Sequence, residues 1–329
     1  MDDKIEGLPH QVENAYRRIQ QHILKTPLMY SKYLSLDSDA EVYLKLENEQ
    51  TTGSFKLRGA FNKMLQLSEQ DPEVLKRGVI TASTGNHGLA CMQAAKVCKC
   101  CVEIFGQNTM SQLKVDALQE LYGVKVTRHG NDCVEAEIKA RQTAKERNQL
   151  YISPYNDWDV MAGQGTIGYE IYETLPDVDC VFVSVGGGGL IAGISAYLKS
   201  KNSNIKVIGC QPRKSKVLYE SVKAGHIVHE TSYDTLSDGT AGDVEDGSVT
   251  FPVCKKYVDD WSLVDEDEIS DAVFFMLDKH HKLVEGAAGV AVASFLQQRK
   301  KYQGKKVVIL ICGGNISSVT LKTIIDSHL

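Results

Sequence analysis

The chain has 329 residues, 43% of them hydrophobic and 24% charged, and a formal net charge of −5. That is the composition of a globular protein long enough for two domains. It lacks the basic face of a nucleic-acid binder and the ~18 consecutive apolar residues of a membrane span, so neither partner is expected.

The first twenty residues, MDDKIEGLPHQVENAYRRIQ, are acidic and polar without an apolar signal segment, which points to the cytoplasm. Strand-like runs follow at 41–47 (EVYLKLE), 78–83 (GVITAS), 101–106 (CVEIFG), 124–129 (VKVTRH), 150–154 (LYISP), 180–185 (CVFVSV), 206–211 (KVIGCQ) and 306–312 (KVVILIC). Between them, stretches such as 86–97 (NHGLACMQAAKV) and 111–123 (SQLKVDALQELYG) repeat apolar residues at the helical spacing i, i+3, i+4. The alternation predicts βαβ units and mostly parallel sheets covered by helices on both faces. No repeat and no Pro/Gly/Ser-rich linker divides the chain, so the domains are expected to interleave. The nine cysteines are odd in number and several lie in strand-like runs, which fits small buried hydrophobes in a reducing compartment. Cys98-Lys99-Cys100-Cys101 lacks a second Cys/His pair at finger spacing, and no metal site is predicted there.

In open α/β sheets ligands sit at the carboxyl ends of the strands. In TTGSFKLRGA (51–60), Lys56 lies between Phe55 and Leu57. Locally this fits a snorkelling lysine at a helix start; buried, the same amine would have a lowered pKa and be nucleophilic. In GVITASTGNHG (78–88), Ser83, Thr84 and Asn86 fit a helix cap, and Gly85 and Gly88 around Asn86-His87 fit equally a backbone nest for a carboxylate. Gly186, Gly187, Gly188 and Gly189 follow a strand and precede a helix, a phosphate-binding arrangement. Gly187-x-Gly189-x-x-Ala192 also matches a dinucleotide fingerprint, but the next strand ends in Gln211 rather than an acid for the ribose, which removes that reading's best support. Cys312, at the end of the last strand, fits either core or a weak hydrogen bond to a ligand.

SFKLRGA (54–60), STGNHG (83–88), GQGT (163–166), VGGGGLIAG (185–193) and CGGN (312–315) occur in this order across nearly the whole chain. The combination resembles the fold-type II pyridoxal-phosphate enzymes, in the threonine/serine dehydratase (ammonia-lyase) and serine racemase group. The resemblance implies an α/β, tryptophan synthase β-like fold: two open, twisted, mostly parallel sheets with pyridoxal 5′-phosphate in the cleft between domains. Residues 1–68 and 156–329 would form the large cofactor-binding domain and 69–155 a small mobile one. Lys56 would hold the cofactor through a Schiff base and act as catalytic base. Phe55 would stack on its ring, Asn86 bond its 3′ oxygen, Gly186–Gly189 cradle its phosphate, Cys312 face the pyridine nitrogen and Gly239 lie over it. Ser83, Thr84, Asn86 and His87 would hold the substrate carboxylate.

The implied reaction is dehydration and deamination of L-threonine and/or L-serine to a 2-oxo acid and ammonia, by a homodimer. Serine racemisation with side elimination is the alternative, and Thr84, where the racemases carry a serine, is the second catalytic candidate. Two departures stand out. The loop 130–137 has Glu135 and no arginine, and QPRKSKV (211–217) offers Gln211, Lys214 and Lys216 where the group's divalent-cation site has acids. No metal is therefore expected. Glu285 matches a remote structural glutamate of the group and reads locally as a helix N-terminal acid. The chain ends soon after CGGN, so feedback inhibition by isoleucine through a C-terminal regulatory domain is not expected.

Overall fold

The computed structural model describes residues 1–329 other than 84, 109, 111–114, 117, 121, 122 and 132, and the backbone alone of Cys133. Ten strands are described: β1 Leu28–Tyr30, β2 Glu41–Leu46, β3 Val79–Thr81, β4 Val102–Gly106, β5 Lys125–Arg128, β6 Leu150–Tyr151, β7 Cys180–Ser184, β8 Lys206–Pro212, β9 Asp260–Val264 and β10 Lys306–Ile311. They form a six-stranded sheet in the order β1-β2-β10-β7-β8-β9 and a four-stranded sheet in the order β5-β4-β3-β6. All neighbours are parallel except β1 and β2. The strand-like runs of the sequence coincide with β2 to β8 and β10.

Two strands escape that pattern for a physical reason. β1 is three residues long, and β9 runs from exposed to buried residues in partial alternation at a sheet edge. Neither is the continuous apolar run that marks a strand covered on both faces, as in β7, where every residue is buried. The helix expected over 86–97 is Asn86–Cys98. The one expected over 111–123 falls largely outside the described residues.

The four-stranded sheet lies wholly within residues 79–151. Two helices carry the chain between the sheets: Lys56–Gln70, which runs past residue 68, and Trp158–Thr174. They touch backbone to backbone. A Cβ on Gly163 would lie 2.6 Å from the Arg58 carbonyl oxygen, and the Gly59 N–H donates to Oε1 of Gln164 at 3.0 Å. Gly163 of GQGT is thus a packing residue that brings the helix of Lys56 against its neighbour, while Gly165 packs on Val12 and Gly193.

Beneath this crossing lies a buried charge cluster. Arg58 donates to Glu47 (Nε–Oε2 2.8 Å, Nη2–Oε1 2.7 Å), to Glu170 (Nη1–Oε1 2.7 Å, Nη2–Oε2 2.9 Å) and to the Thr166 hydroxyl at 3.1 Å. Lys45 donates to Glu170 at 2.5 Å and to the Thr26 carbonyl at 2.7 Å. Two cations face two carboxylates, and the donors of the guanidinium fork are met in pairs. Removing one partner of such a buried set leaves uncompensated charge. Arg58→Ala, which leaves Lys45 to face both carboxylates, is expected to destabilise the fold by about 3–5 kcal/mol, read from the urea unfolding midpoint. A change below about 1 kcal/mol, the value of an exposed pair, would contradict this.

Candidate active site

The carboxyl end of β10 is paired to a segment more than 250 residues earlier. Ser54 and Gly313 form an antiparallel bridge. The Phe55 N–H donates to the Cys312 carbonyl at 3.0 Å and the Gly314 N–H to the Gly53 carbonyl at 2.9 Å. Gly53 turns the chain with φ +72°, and a Cβ there would meet Asn315 Oδ1 at 2.5 Å, so both conformation and space call for glycine. The pairing sets Lys56, the first residue of its helix, at the end of the central strands. Its Nζ donates to the Pro154 carbonyl at 2.9 Å and stands 5.2 Å from the centroid of the Phe55 ring. The side chain keeps partial exposure towards the cleft, yet loss of water lowers its amine from 10.5 to about 8, against the opposing pull of Cys312, Cys91 and Glu285.

Gly186–Gly189 lie between β7 and the helix Gly189–Lys201. A Cβ on Gly186 would sit 3.1 Å from Thr240, on Gly187 2.5 Å from the Tyr155 ring, on Gly188 2.7 Å from Leu218 and on Gly189 3.0 Å from Tyr155. Gly188 also has φ +87°. The Gly187 carbonyl accepts from the Thr250 hydroxyl at 2.6 Å and the Gly188 carbonyl from the Cys254 thiol at 3.7 Å. In a trans peptide the next N–H points the opposite way, so those of Gly188 and Gly189 turn away from Thr250 and Cys254. N–H groups at a helix start are suited to an anion, and the close approach of Thr240, Tyr155 and Leu218 leaves no room for a Cβ on the loop that presents them.

Across the cleft, Ser83 ends the segment after β3, and Asn86 opens the helix Asn86–Cys98. Asn86, His87 and Gly88 carry the first N–H groups of that helix, which intrahelical bonding leaves free. The His87 ring is turned away from this opening. Its Nε2 lies 3.1 Å from the Ile152 carbonyl and 3.5 Å from the Cys91 sulfur, and burial lowers it to about 3, so it stays neutral. Its main-chain N–H stays at the start of the helix. Thr84 lies outside the described residues. Cys312 is buried, and its thiol is pushed well above its usual value by desolvation, hence neutral. Gly239, in the turn Asp238–Thr240, is exposed, and a Cβ there would lie 3.7 Å from Oε1 of Glu285.

Several residues beyond these candidates shape the site. Glu285 is more than a helix-terminal acid: its carboxylate accepts from Asn86 and from the Asn315 N–H, and burial raises its pKa. Tyr155 packs on the glycine cradle, and its hydroxyl accepts from the Glu245 N–H at 3.1 Å. Glu245 in turn accepts from Arg141 at 2.7 Å and Asn156 at 2.9 Å, tying the 79–151 block to the loop before Thr250. CGGN carried the only local signal for Asn315; Tyr155 had none. Gln211 is buried, its amide spanning from the Val185 carbonyl (3.2 Å) to the Tyr219 N–H (2.8 Å), and Lys216 pairs with Glu220 and Glu230.

A family model described as pyridoxal-phosphate dependent enzyme matches residues 19–313. An L-threonine ammonia-lyase of Thermotoga maritima is 41% identical over 318 residues, 97% of this chain and 78% of the relative. The processed form of threonine deaminase isoform 2 from Solanum lycopersicum superposes with a TM-score of 0.91 at 33% identity, covering 99% of this chain and 94% of that one. Maize serine racemase superposes with a TM-score of 0.88 at 29% identity, covering 97% of each chain.

Two outcomes follow from the geometry. Acylation of Lys56 in the ligand-free protein, followed by peptide mass spectrometry, is expected to rise with pH around a midpoint of about 8; a midpoint near the ordinary 10.5 would contradict the burial argument. Gly188→Ala, which forces φ +87° on a residue with a Cβ, is expected to weaken pyridoxal phosphate binding by about tenfold or more, measured by equilibrium dialysis. Unchanged affinity would show that the cradle does not hold the phosphate.

Proposed function

The chain belongs to the pyridoxal-phosphate-dependent enzymes, and we propose that it converts L-threonine and/or L-serine to a 2-oxo acid and ammonia by β-elimination. The observation that carries this reading is the convergence of an amine whose pKa burial lowers to about 8, a glycine loop at a helix start and a neutral thiol at the ends of β7 and β10. These residues fit the cofactor: Gly188 is held at φ +87°, and Thr250 and Cys254 bind the carbonyls of Gly187 and Gly188, which turns the following N–H groups to the other side as donors for a phosphate. Gly186–Gly189 would hold that phosphate, Phe55 would stack on the ring, Asn86 would meet the ring oxygen, Gly239 would cover it and Lys56 would bind it covalently. When bound, pyridoxal phosphate supplies an electron sink for charge developing at the substrate's α-carbon.

The chain's own residues do the rest. The N–H groups at the start of Asn86–Cys98, with Ser83 and Thr84, hold the substrate carboxylate against the positive end of the helix. Nζ of Lys56 takes the α-proton, a task that requires the neutral amine its buried setting favours. Cys312, being neutral, would not hold a proton on the pyridine nitrogen as a carboxylate would, which would favour elimination over transamination. Loss of the α-proton and β-hydroxyl removes water; the released unsaturated amine takes up water and sheds ammonia, so atoms balance. Residues 69–155 act as the small mobile domain, and 1–68 with 156–329 as the large one; closure excludes water from the reacting atoms. The enzyme works as a cytoplasmic homodimer. No helix among the described residues is long and apolar enough to cross a membrane.

A second reading, serine racemisation, draws support from the maize serine racemase likeness and from the hydroxyl of Thr84 directly before Gly85-Asn86-His87. A panel of L-threonine, L-serine and other small amino acids, assayed for ammonia, 2-oxo acid and enantiomer, separates the two. Elimination is expected to outpace inversion, and Lys56→Ala is expected to reduce it by at least about 10²–10⁴-fold. D-serine forming faster than pyruvate would overturn the preference, and no product from any hydroxy amino acid would overturn the function.

A further inference from the structure

Glu285 is the N-cap residue of the helix Gly286–Gln298, yet its side chain makes no capping bond to that helix. The carboxylate turns into the cleft instead, where the residue is 5% exposed. Both its oxygens accept from Nδ2 of Asn86 at 3.0 Å, and Oε2 accepts from the Asn315 N–H at 3.2 Å. Missing side chains make the room: a Cβ on Gly313 would lie 2.5 Å from Oε1. A buried carboxylate is unfavourable unless donors converge on it, and here two do.

A carboxylate accepts and does not donate, so it leaves the Asn86 amide one orientation. The amino group faces Glu285 and the carbonyl faces Nδ2 of Asn315, 2.7 Å away. Asn315 is oriented in turn by the Thr52 carbonyl, to which the same Nδ2 donates at 2.9 Å. The second N–H of Asn86 Nδ2 is thereby aimed in a fixed direction. Without the carboxylate the amide could turn over and present its oxygen instead.

We propose that Glu285 is a positioning residue for the cofactor site: through Asn86 it holds the amide N–H that meets the ring oxygen of pyridoxal phosphate. This rests on the placement of the cofactor against Asn86 proposed above. Glu285 itself touches neither substrate nor reacting atoms.

The test is a double-mutant cycle in the full chain with Glu285→Gln, Asn86→Ala and the pair. The readouts are the dissociation constant of pyridoxal phosphate and the absorbance spectrum of the bound cofactor, which a merely structural change would leave alone. Each single variant is expected to weaken binding about tenfold, the scale of one hydrogen bond to a charged group, and to shift the spectrum in the same way. The double variant is expected to bind no worse than Asn86→Ala alone, because the two residues act as one unit. If Asn86→Ala leaves affinity unchanged, the cofactor placement fails and the proposal with it. If Asn86→Ala weakens binding while Glu285→Gln does not, or if the two losses add, the placement stands and the role of Glu285 is overturned. Should Glu285→Gln not fold, Glu285→Asp, which withdraws the oxygens by one methylene, enters the same cycle with the same expected outcome.

Discussion

The pairing of residues 53–55 with 312–314 is the constraint on which the rest of the site depends. Three main-chain contacts, Ser54 with Gly313, Phe55 with Cys312 and Gly314 with Gly53, join the entry to one helix with the end of the last strand. Because the bonds are between backbones, they set position without depending on side-chain rotamers. Lys56 then has no freedom to sit elsewhere than beside Cys312. The crossing of Lys56–Gln70 over Trp158–Thr174, allowed by Gly59 and Gly163 and anchored by Arg58, fixes the direction in which that helix leaves.

The glycines act as absences with defined neighbours. At Gly187 and Gly189 the neighbour is Tyr155; at Gly313 it is the Glu285 carboxylate. In each case the missing Cβ lets a functional group approach the backbone closely. The same economy appears in the carbonyls of Gly187 and Gly188, which Thr250 and Cys254 bind on the outer side so that the following N–H groups turn away from them. Burial then does two further things: loss of water lowers the pKa of Lys56 and, with the Glu285 carboxylate nearby, holds Cys312 as a thiol.

Much of this is legible in the sequence because it is local. The buried strands are unbroken apolar runs, and the loops that follow them carry the motifs. Edge strands β1 and β9 are not legible, since a short or amphipathic edge resembles a loop when read alone. Lys56 is ambiguous in isolation and becomes readable once the distant motifs are taken together. Glu285 and Tyr155 are harder. A glutamate before a helix looks like a dipole partner, and nothing within a few residues shows that it reaches Asn86, 199 positions away. His87 is a further case: the sequence places it among the carboxylate-holding candidates without saying which of its groups faces the site, and packing turns the ring to the Ile152 carbonyl. Such assignments depend on which elements the fold brings together, which no single segment encodes.

The central claim is that Lys56 is the amine that binds pyridoxal phosphate. Borohydride reduction of the holoenzyme followed by peptide mass mapping tests it most directly. A single reduced cofactor adduct on the peptide carrying Lys56 is the predicted result. An adduct on another lysine, or none in a preparation that contains the cofactor, would contradict the account.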